Sequence, residues 1–335
     1  MTLDNIITTL DNSKSFLHNV TAHAVLLVDK LLKVNFMLDR LSKKYYIASD
    51  QSEAKMNRLS LEKRTQIIGL LCEGNSLRAA SRISGCSVIT VMKLLVDIGT
   101  ACQKYHNENV QNVQSKRVEC DEIWAFCYAK DKNLPEKYRG QYGMGSIWTW
   151  VALDADSKLA VSWLVGNRDA SYARVFMHDV ASRLKNRIQL TTDGLKAYLD
   201  AVDEAFGADI DFAQLVKLYG KPLEGTHRYS PAECTGIIKT PITGNPKLKN
   251  ISTSYVERQN LTMRMNMRRF TRLTNAFSKK VENHGHAIAL HFMYYNFVRI
   301  HKTLRVTPAM AGGITTKLWE IEDLARLLEA QEKTN

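Results

Sequence analysis

The fold is decided by the stretch Val118-Glu-Cys-Asp-Glu-Ile-Trp-Ala-Phe-Cys-Tyr128. Its aromatic and β-branched residues predict a strand. Because side chains alternate along a strand, Asp121 shares a face with Ile123 and Ala125, which are core residues by type. A carboxylate on such a face is costly unless it is paired or bound to a metal. Asp121 is therefore predicted to be paired with another group or bound to a metal.

The elements after this strand predict a mixed α/β layer fold, with the order β-β-β-α-β-α-β followed by helices. The predicted strands and helices are 147–153, 159–165, 172–184, 188–193, 197–206 and 210–218. Asp193 ends a strand that should run parallel to the first one. Since ligands collect at the strand ends of such sheets, Asp193 is the second candidate site residue.

A helix-turn-helix pattern precedes the sheet. Serines begin three successive apolar-periodic segments, and Gly85 lies in the tight turn before the third one. Val88, Val91, Leu94 and Leu95 are predicted to face inward. The outer face of this third helix would then carry Ser87, Thr90 and Lys93, as in a recognition helix that reads DNA. Short three-helix units also serve as protein docking modules, so this alternative stays open.

Positive charge is concentrated in one part of the chain. The formal net charge is +12, and residues 236–305 hold 13 lysines and arginines against two glutamates. Such a block favours nucleic acid as the partner; a solvated surface without a partner is the alternative. The predicted DNA-binding residues in this block are Arg258, Arg264, Arg268, Arg269, Arg272, Lys279 and Lys280.

Glu257 is the one carboxylate of the basic helix that is predicted to run from about Ser252 to about Arg269. It could form a surface ion pair, which contributes little stability, or it could bind a metal.

Glu119 shares the face of Asp121 by alternation, whereas Glu122 points the other way, so Glu119 is the substitute ligand. His284, His286 and His291 are more consistent with structural or phosphate contacts than with a metal cluster.

Domain limits follow from changes in composition. We expect a helical extension over 1–55, which need not be part of the working protein, and a helix-turn-helix domain over 56–112. A catalytic domain over 113–310 would contain an irregular, proline-rich insertion at 220–250, with room for one hairpin, and an amphipathic helix would occupy 311–335. The six cysteines form no C-x-x-C pair, which argues against a zinc knuckle or a disulfide framework. No run of residues predicts a membrane span.

The sequence resembles the DDE transposases and retroviral-type integrases with an RNase H-like core, and more closely the insertion sequence one family of bacterial transposases. The resemblance covers roughly 56–328 and is most specific at Cys-Asp-Glu-Ile-Trp124, Thr-Thr-Asp-Gly194 and Ser-Tyr-Val-Glu-Arg-Gln-Asn260. It implies that Asp121, Asp193 and Glu257 are the catalytic, metal-binding residues. Arg264, seven positions after the glutamate, would contact DNA near the scissile phosphate.

The same resemblance implies two Mg²⁺ ions, which Mn²⁺ can replace, and cleavage and strand transfer at the terminal inverted repeats of an insertion sequence. Its partners would be double-stranded DNA, as repeat ends and as target, and further copies of the chain in a homodimer or higher oligomer. The location would be the bacterial cytoplasm, on the nucleoid. Two other functions stay open: a non-catalytic DNA-binding regulator or inactive relic, and an RNase H-like nuclease acting on other nucleic acids.

Overall fold

The computed structural model describes residues 58–220, 233–271 and 274–334. Contacts divide the chain into two units, Met1–Leu59 and Ser60–Asn335. The predicted extension over 1–55 lies outside the described residues, and everything below concerns the second unit. The predicted domain limits within this unit stay a prediction.

Three helices begin the unit: α1 (Leu61–Cys72), α2 (Leu77–Ser84) and α3 (Val88–Asn109). The serine before each helix accepts a hydrogen bond from the backbone N–H three residues ahead, as the capping pattern predicts. Gly85 adopts φ +72° between α2 and α3, and the two helices are bent by 114° at this turn. This angle lies in the range of helix-turn-helix motifs.

Helix α3 continues through Gly99 to Asn109. A Cβ at Gly99 would lie 2.4 Å from Cβ of His286, on the later helix α7 (Val281–Met293). The glycine is therefore needed for the close approach of α3 and α7 rather than for a turn. Beyond it, Nε2 of His106 lies 3.2 Å from the Ala160 carbonyl, which fixes the far end of α3 to the sheet.

Six strands form one mixed sheet in the order β3-β2-β1-β4-β5-β6. Antiparallel pairs join β1 to β2, β2 to β3 and β5 to β6, while β1, β4 and β5 run parallel. The strands are β1 (Arg117–Cys127), β2 (Gly145–Asp154), β3 (Ala160–Gly166), β4 (Gln189–Thr192), β5 (Asp211–Tyr219) and β6 (Cys234–Thr243). The predicted α/β class, a mixed sheet flanked by helices, is confirmed.

The insertion predicted at 220–250 contains a regular element in its second half. Residues 234–243 form β6 along the edge of the sheet, and residues 221–232 lie outside the described part. Pro241 suggested irregular structure, but a proline is tolerated in an edge strand, where one side of the backbone makes no ladder bonds.

Helices cover both faces of the sheet. On one face, α4 (Ala170–Arg183) and α5 (Ala197–Phe206) enclose an apolar core that includes Trp150, Phe176 and Phe212. α6 (Ser254–Asn266) contacts β1 and β2. α7 continues as a π-helical turn, Tyr294–Val298, and packs on α3. The short α8 (Pro308–Ala311) and the terminal α9 (Ile321–Thr334) follow, and α9 packs on α1 and α3.

Among the described residues, no single helix is both long and apolar enough to cross a membrane. The bent pair α2 and α3 meets the criteria of length and composition only when the two helices are taken together.

Candidate metal centre and nucleic-acid surface

Asp121 and Asp193 meet at one edge of the sheet. The parallel pairing of β1 and β4 ends with Cys120 opposite Thr192, so the two aspartates occupy the next position on each strand. Oxygens of Asp121, Asp193 and Glu122 all lie within 4.8 Å of one another. The structure thus brings together two of the three residues that the sequence predicted as metal ligands.

Glu122 was not predicted to lie at this site. As alternation requires, it leaves β1 on the face opposite Asp121, where its Oε1 accepts a hydrogen bond from the Tyr198 hydroxyl. Arg168 connects Glu122 to Asp193 at the edge of the sheet. Its Nε lies 3.0 Å from Glu122 Oε2, and its Nη2 lies 3.1 Å from Asp193 Oδ2. The alternation of side chains along β1 is thus as predicted. Asp193, however, lies just past the end of β4, and the side chain of Glu122, which is longer than that of an aspartate, reaches it from the other face of the sheet.

Glu119 is not the substitute ligand that alternation suggested. Its Oε2 accepts hydrogen bonds from the backbone N–H groups of Tyr255, at 2.8 Å, and Val256, at 3.1 Å. These groups belong to the first turn of α6, whose unsatisfied donors attract a carboxylate. The buried Glu119 therefore fixes α6 on β1.

Helix α6 brings two side chains toward Asp121. Asn260 Nδ2 donates to Asp121 Oδ2 at 2.9 Å. Glu257, one turn earlier, accepts a 2.6 Å hydrogen bond from the Thr253 hydroxyl and forms an ion pair with Lys217 of β5. It lies outside the group of oxygens within 4.8 Å, although its charge still acts on Asp121. Helical spacing could have indicated Asn260, which is three positions after Glu257.

Burial and repulsion between the carboxylates raise the pKa values of Asp121 and Glu122. Burial, the charge of Asp193 and the charge of Glu257 together raise the pKa of Asp121 to about 7, against the hydrogen bond from Asn260. Burial and Asp193 likewise raise the pKa of Glu122 to about 7, against the hydrogen bonds from Tyr198 and Arg168. A divalent cation between these groups would remove this repulsion.

The donor set fits a hard divalent cation. Asp121, Asp193 and Glu122 offer carboxylate oxygens, which Mg²⁺ and Mn²⁺ prefer. Asn260 is buried, and its Oδ1 has no hydrogen-bond partner among the described residues. An orphaned carbonyl-type oxygen beside Asp121 is a further ligand or an acceptor for a bound water. Glu257 could join this set after release from Lys217.

The predicted basic residues have different environments. Arg258, Arg268, Lys279 and Lys280 are exposed. Arg264 is half-buried, with Nη1 3.5 Å from the Phe270 carbonyl. Arg269 differs from all of these, because its Nη1 donates to Ser278 Oγ at 2.9 Å and burial lowers its pKa. Arg272 lies outside the described residues.

The outer side of the predicted recognition helix is only partly as expected. Lys93 is exposed, but the hydroxyls of Ser87 and Thr90 hydrogen-bond to each other at 2.9 Å. Val88 was predicted to face inward and is 39% exposed, because it occupies the first position of α3, beyond the reach of the core.

The histidines of α7 lie in packed surroundings. Nδ1 of His284 hydrogen-bonds to Ser278 Oγ at 2.8 Å, and burial lowers its pKa to about 3. Burial also lowers the pKa of His291 to about 3. Both rings are thus neutral near pH 7, and His286 packs against Gly99. These contacts fit the structural reading of the three histidines.

No protein-family model matches the sequence. No curated protein matches it either. Among solved structures, the chain is similar to a piggyBac transposase in a synaptic complex with hairpin DNA, with 10% identity and a TM-score of 0.41 over 85% of this chain and 74% of that chain. It is also similar to a chain of the Mos1 strand transfer complex, with 12% identity and a TM-score of 0.21 over 52% of this chain and 63% of that chain. Both likenesses are weak, so the function proposed below depends on the geometry of the site.

Proposed function

We propose that this chain is a transposase of the DDE type that cuts and joins DNA at the terminal repeats of a bacterial insertion sequence. The observation that carries the proposal is the convergence of Asp121 and Asp193 at one sheet edge, with Glu257 close enough for its charge to act on Asp121. The order of the strands and the three acidic positions agree with the resemblance to DDE transposases in the sequence.

Transfer of a phosphodiester needs activation of the attacking oxygen and neutralisation of the phosphoryl charge, which two bound Mg²⁺ ions would supply. In this chain, Asp121 and Asp193 would hold the metal, and Asn260 keeps Oδ2 of Asp121 oriented through its 2.9 Å hydrogen bond. Glu257 would become the third carboxylate ligand. Lys217, which forms an ion pair with Glu257, would then be available for a phosphate of the DNA.

DNA would be held at two places. Exposed Arg258, Arg268, Lys279 and Lys280 would provide charge for phosphate contacts. With the 114° bend between α2 and α3, the amino end of α3 would enter the major groove. Because two ends must be joined in one reaction, at least two copies of the chain would act together.

One observation favours a second candidate, a DNA-binding regulator without catalysis. Both predicted ligands outside β1 are engaged by cations: Asp193 by Arg168 and Glu257 by Lys217. If these ion pairs persist in the presence of metal, the acidic site cannot assemble and the chain would bind DNA without cutting it.

The test compares the full-length wild type with Asp121→Asn and the control Asp203→Asn, which removes an exposed carboxylate of α5. The substrates are a linear duplex that carries the sequences flanking the gene and a supercoiled plasmid as the target. We expect the wild type and the control to cut and join in Mg²⁺ but not in EDTA, and Asp121→Asn to bind the duplex without cutting it. Equal cutting by Asp121→Asn would refute the acidic centre. Binding without cutting by the wild type, in Mg²⁺ and in Mn²⁺, would establish the regulator instead.

A further inference from the structure

The amino end of α3 carries an exposed apolar surface. Ile89 is 74% exposed, Ile83 at the end of α2 is 56% exposed, and Val88 is 39% exposed. We call these three residues the α3 tip. They flank the turn at Gly85, and the buried core of the three helices is supplied by other residues, such as Ile67 and Leu95. The α3 tip therefore lies largely outside the buried core of the unit.

The hydroxyl groups predicted to read DNA at this end are already engaged. Ser87 Oγ accepts the N–H of Thr90 at 3.1 Å, and the two hydroxyls lie 2.9 Å apart in a hydrogen bond. Capping the helix thus occupies both side chains. Ile89, between them in sequence, projects from the first turn and is the more accessible group.

The charge around the α3 tip indicates a polyanionic partner. Residues 77–96 contain Arg78, Arg82 and Lys93 and no aspartate or glutamate. All three cations are exposed. A protein partner for an apolar surface needs no such one-sided charge, whereas duplex DNA presents phosphates on both sides of each groove.

The chemistry of the major groove specifies what the apolar side chains would contact. Amino-terminal residues of a recognition helix reach base edges. The apolar group exposed on these edges is the C5 methyl group of thymine. An isoleucine at the tip can cover that methyl group, but it cannot form hydrogen bonds with the other base edges.

We propose that Ile89 recognises a thymine methyl group in the major groove and is a specificity-determining residue of this protein. The inference rests on the proposed DNA binding and adds which bases are read and by which residue. Covering one methyl group should change the affinity by about fourfold. The contact would discriminate thymine from uracil, which differ in this methyl group alone.

The experiment begins with selection of bound duplexes from a library with 20 randomised base pairs, using the full-length wild-type protein. Each thymine of the selected site is then replaced in turn by deoxyuridine, and the affinity is measured by fluorescence anisotropy. For the wild type we expect at least one position where the loss of the methyl group weakens binding by about fourfold. For Ile89→Ala, the thymine and deoxyuridine duplexes should bind equally at that position.

The matched control is Ile237→Ala, which shortens an isoleucine on β6 that is 54% exposed. It should keep the wild-type ratio between the two duplexes. The proposal is overturned if no thymine shows the methyl effect, or if Ile89→Ala retains it. Loss of self-association in Ile89→Ala with an unchanged ratio would also overturn it and assign the α3 tip to a protein contact. Failure of the wild type to select any duplex would overturn the DNA binding on which both proposals rest.

Discussion

Replacement of Asp121 by asparagine should stabilise the metal-free fold at high pH. In the folded chain, burial and Asp193 raise the pKa of Asp121 from its ordinary value of 3.8 to about 7. A native pKa above the unfolded value means that the folded state binds the proton more tightly between pH 4 and pH 7. The free energy of unfolding of the wild type therefore falls as the pH rises through this window and stays low above it.

The size of the effect follows from the shift. About three pKa units correspond to an upper limit on the order of 4 kcal/mol over the whole window. Part of the window lies below pH 5, and the side chain keeps some contact with water, so we expect roughly 2 kcal/mol between pH 5 and pH 8. Asparagine does not titrate and can still accept the hydrogen bond from Asn260.

The assay is urea unfolding in EDTA, followed by circular dichroism at pH 5 and pH 8. Asp121→Asn should gain about 2 kcal/mol over the wild type on going from pH 5 to pH 8. The control Asp203→Asn, on the exposed side of α5, should stay within about 0.5 kcal/mol of the wild type at both values. If Asp121→Asn shows no gain at pH 8, the carboxylate is not held against its acidic neighbours and the electrostatic reasoning fails.

Four further outcomes are expected. In differential scanning fluorimetry, Mn²⁺ should raise the melting temperature of the wild type more at pH 8 than at pH 6, because the proton competes with the metal for Asp121. Asp121→Asn should lose this response. Equal shifts of the wild type at both pH values would contradict the competition. Tyr198→Phe should lower the free energy of unfolding in urea by about 1–3 kcal/mol, because the buried Glu122 loses a donor; an unchanged midpoint would count against this contact. Arg268→Ala should reduce the slope of log affinity against log salt for duplex DNA by about 1 at an unchanged melting temperature. Arg269→Ala should instead lower the melting temperature, since its guanidinium is bonded within the chain, and the reverse pattern would show that the two roles are exchanged.

The approach of the two aspartates could be predicted from the sequence for a physical reason. Asp121 lies inside a strand and Asp193 follows one, and parallel pairing places such positions side by side. The same reasoning could not find Glu122. Alternation assigns each side chain of β1 to one face of the sheet. Asp193, however, lies just past the end of the short strand β4, where side chains from either face can reach it. Arg168, far from both acids in sequence, completes the link.

At two positions, Gly99 and Pro241, the residue type is explained by tertiary structure rather than by the local sequence. Gly99 resembles the end of a helix in sequence, yet it permits contact with His286 of α7. Pro241 resembles a loop residue, yet the edge position of β6 removes the need for its missing N–H. Neither the partner helix nor the edge of the sheet can be read from the residues around these positions.

The long helix α3 belongs to both halves of the molecule. Its first turns pack within the three-helix group through Val91 and Leu94, and its last turns reach the sheet through His106. At 22 residues it spans about 33 Å, close to one turn of B-DNA. The three-helix group and the sheet are thus connected by a continuous helix rather than by a flexible linker. If α3 reads DNA at one end, the spacing between the sequence that is read and the bond that is cut is a fixed length, set by the protein itself.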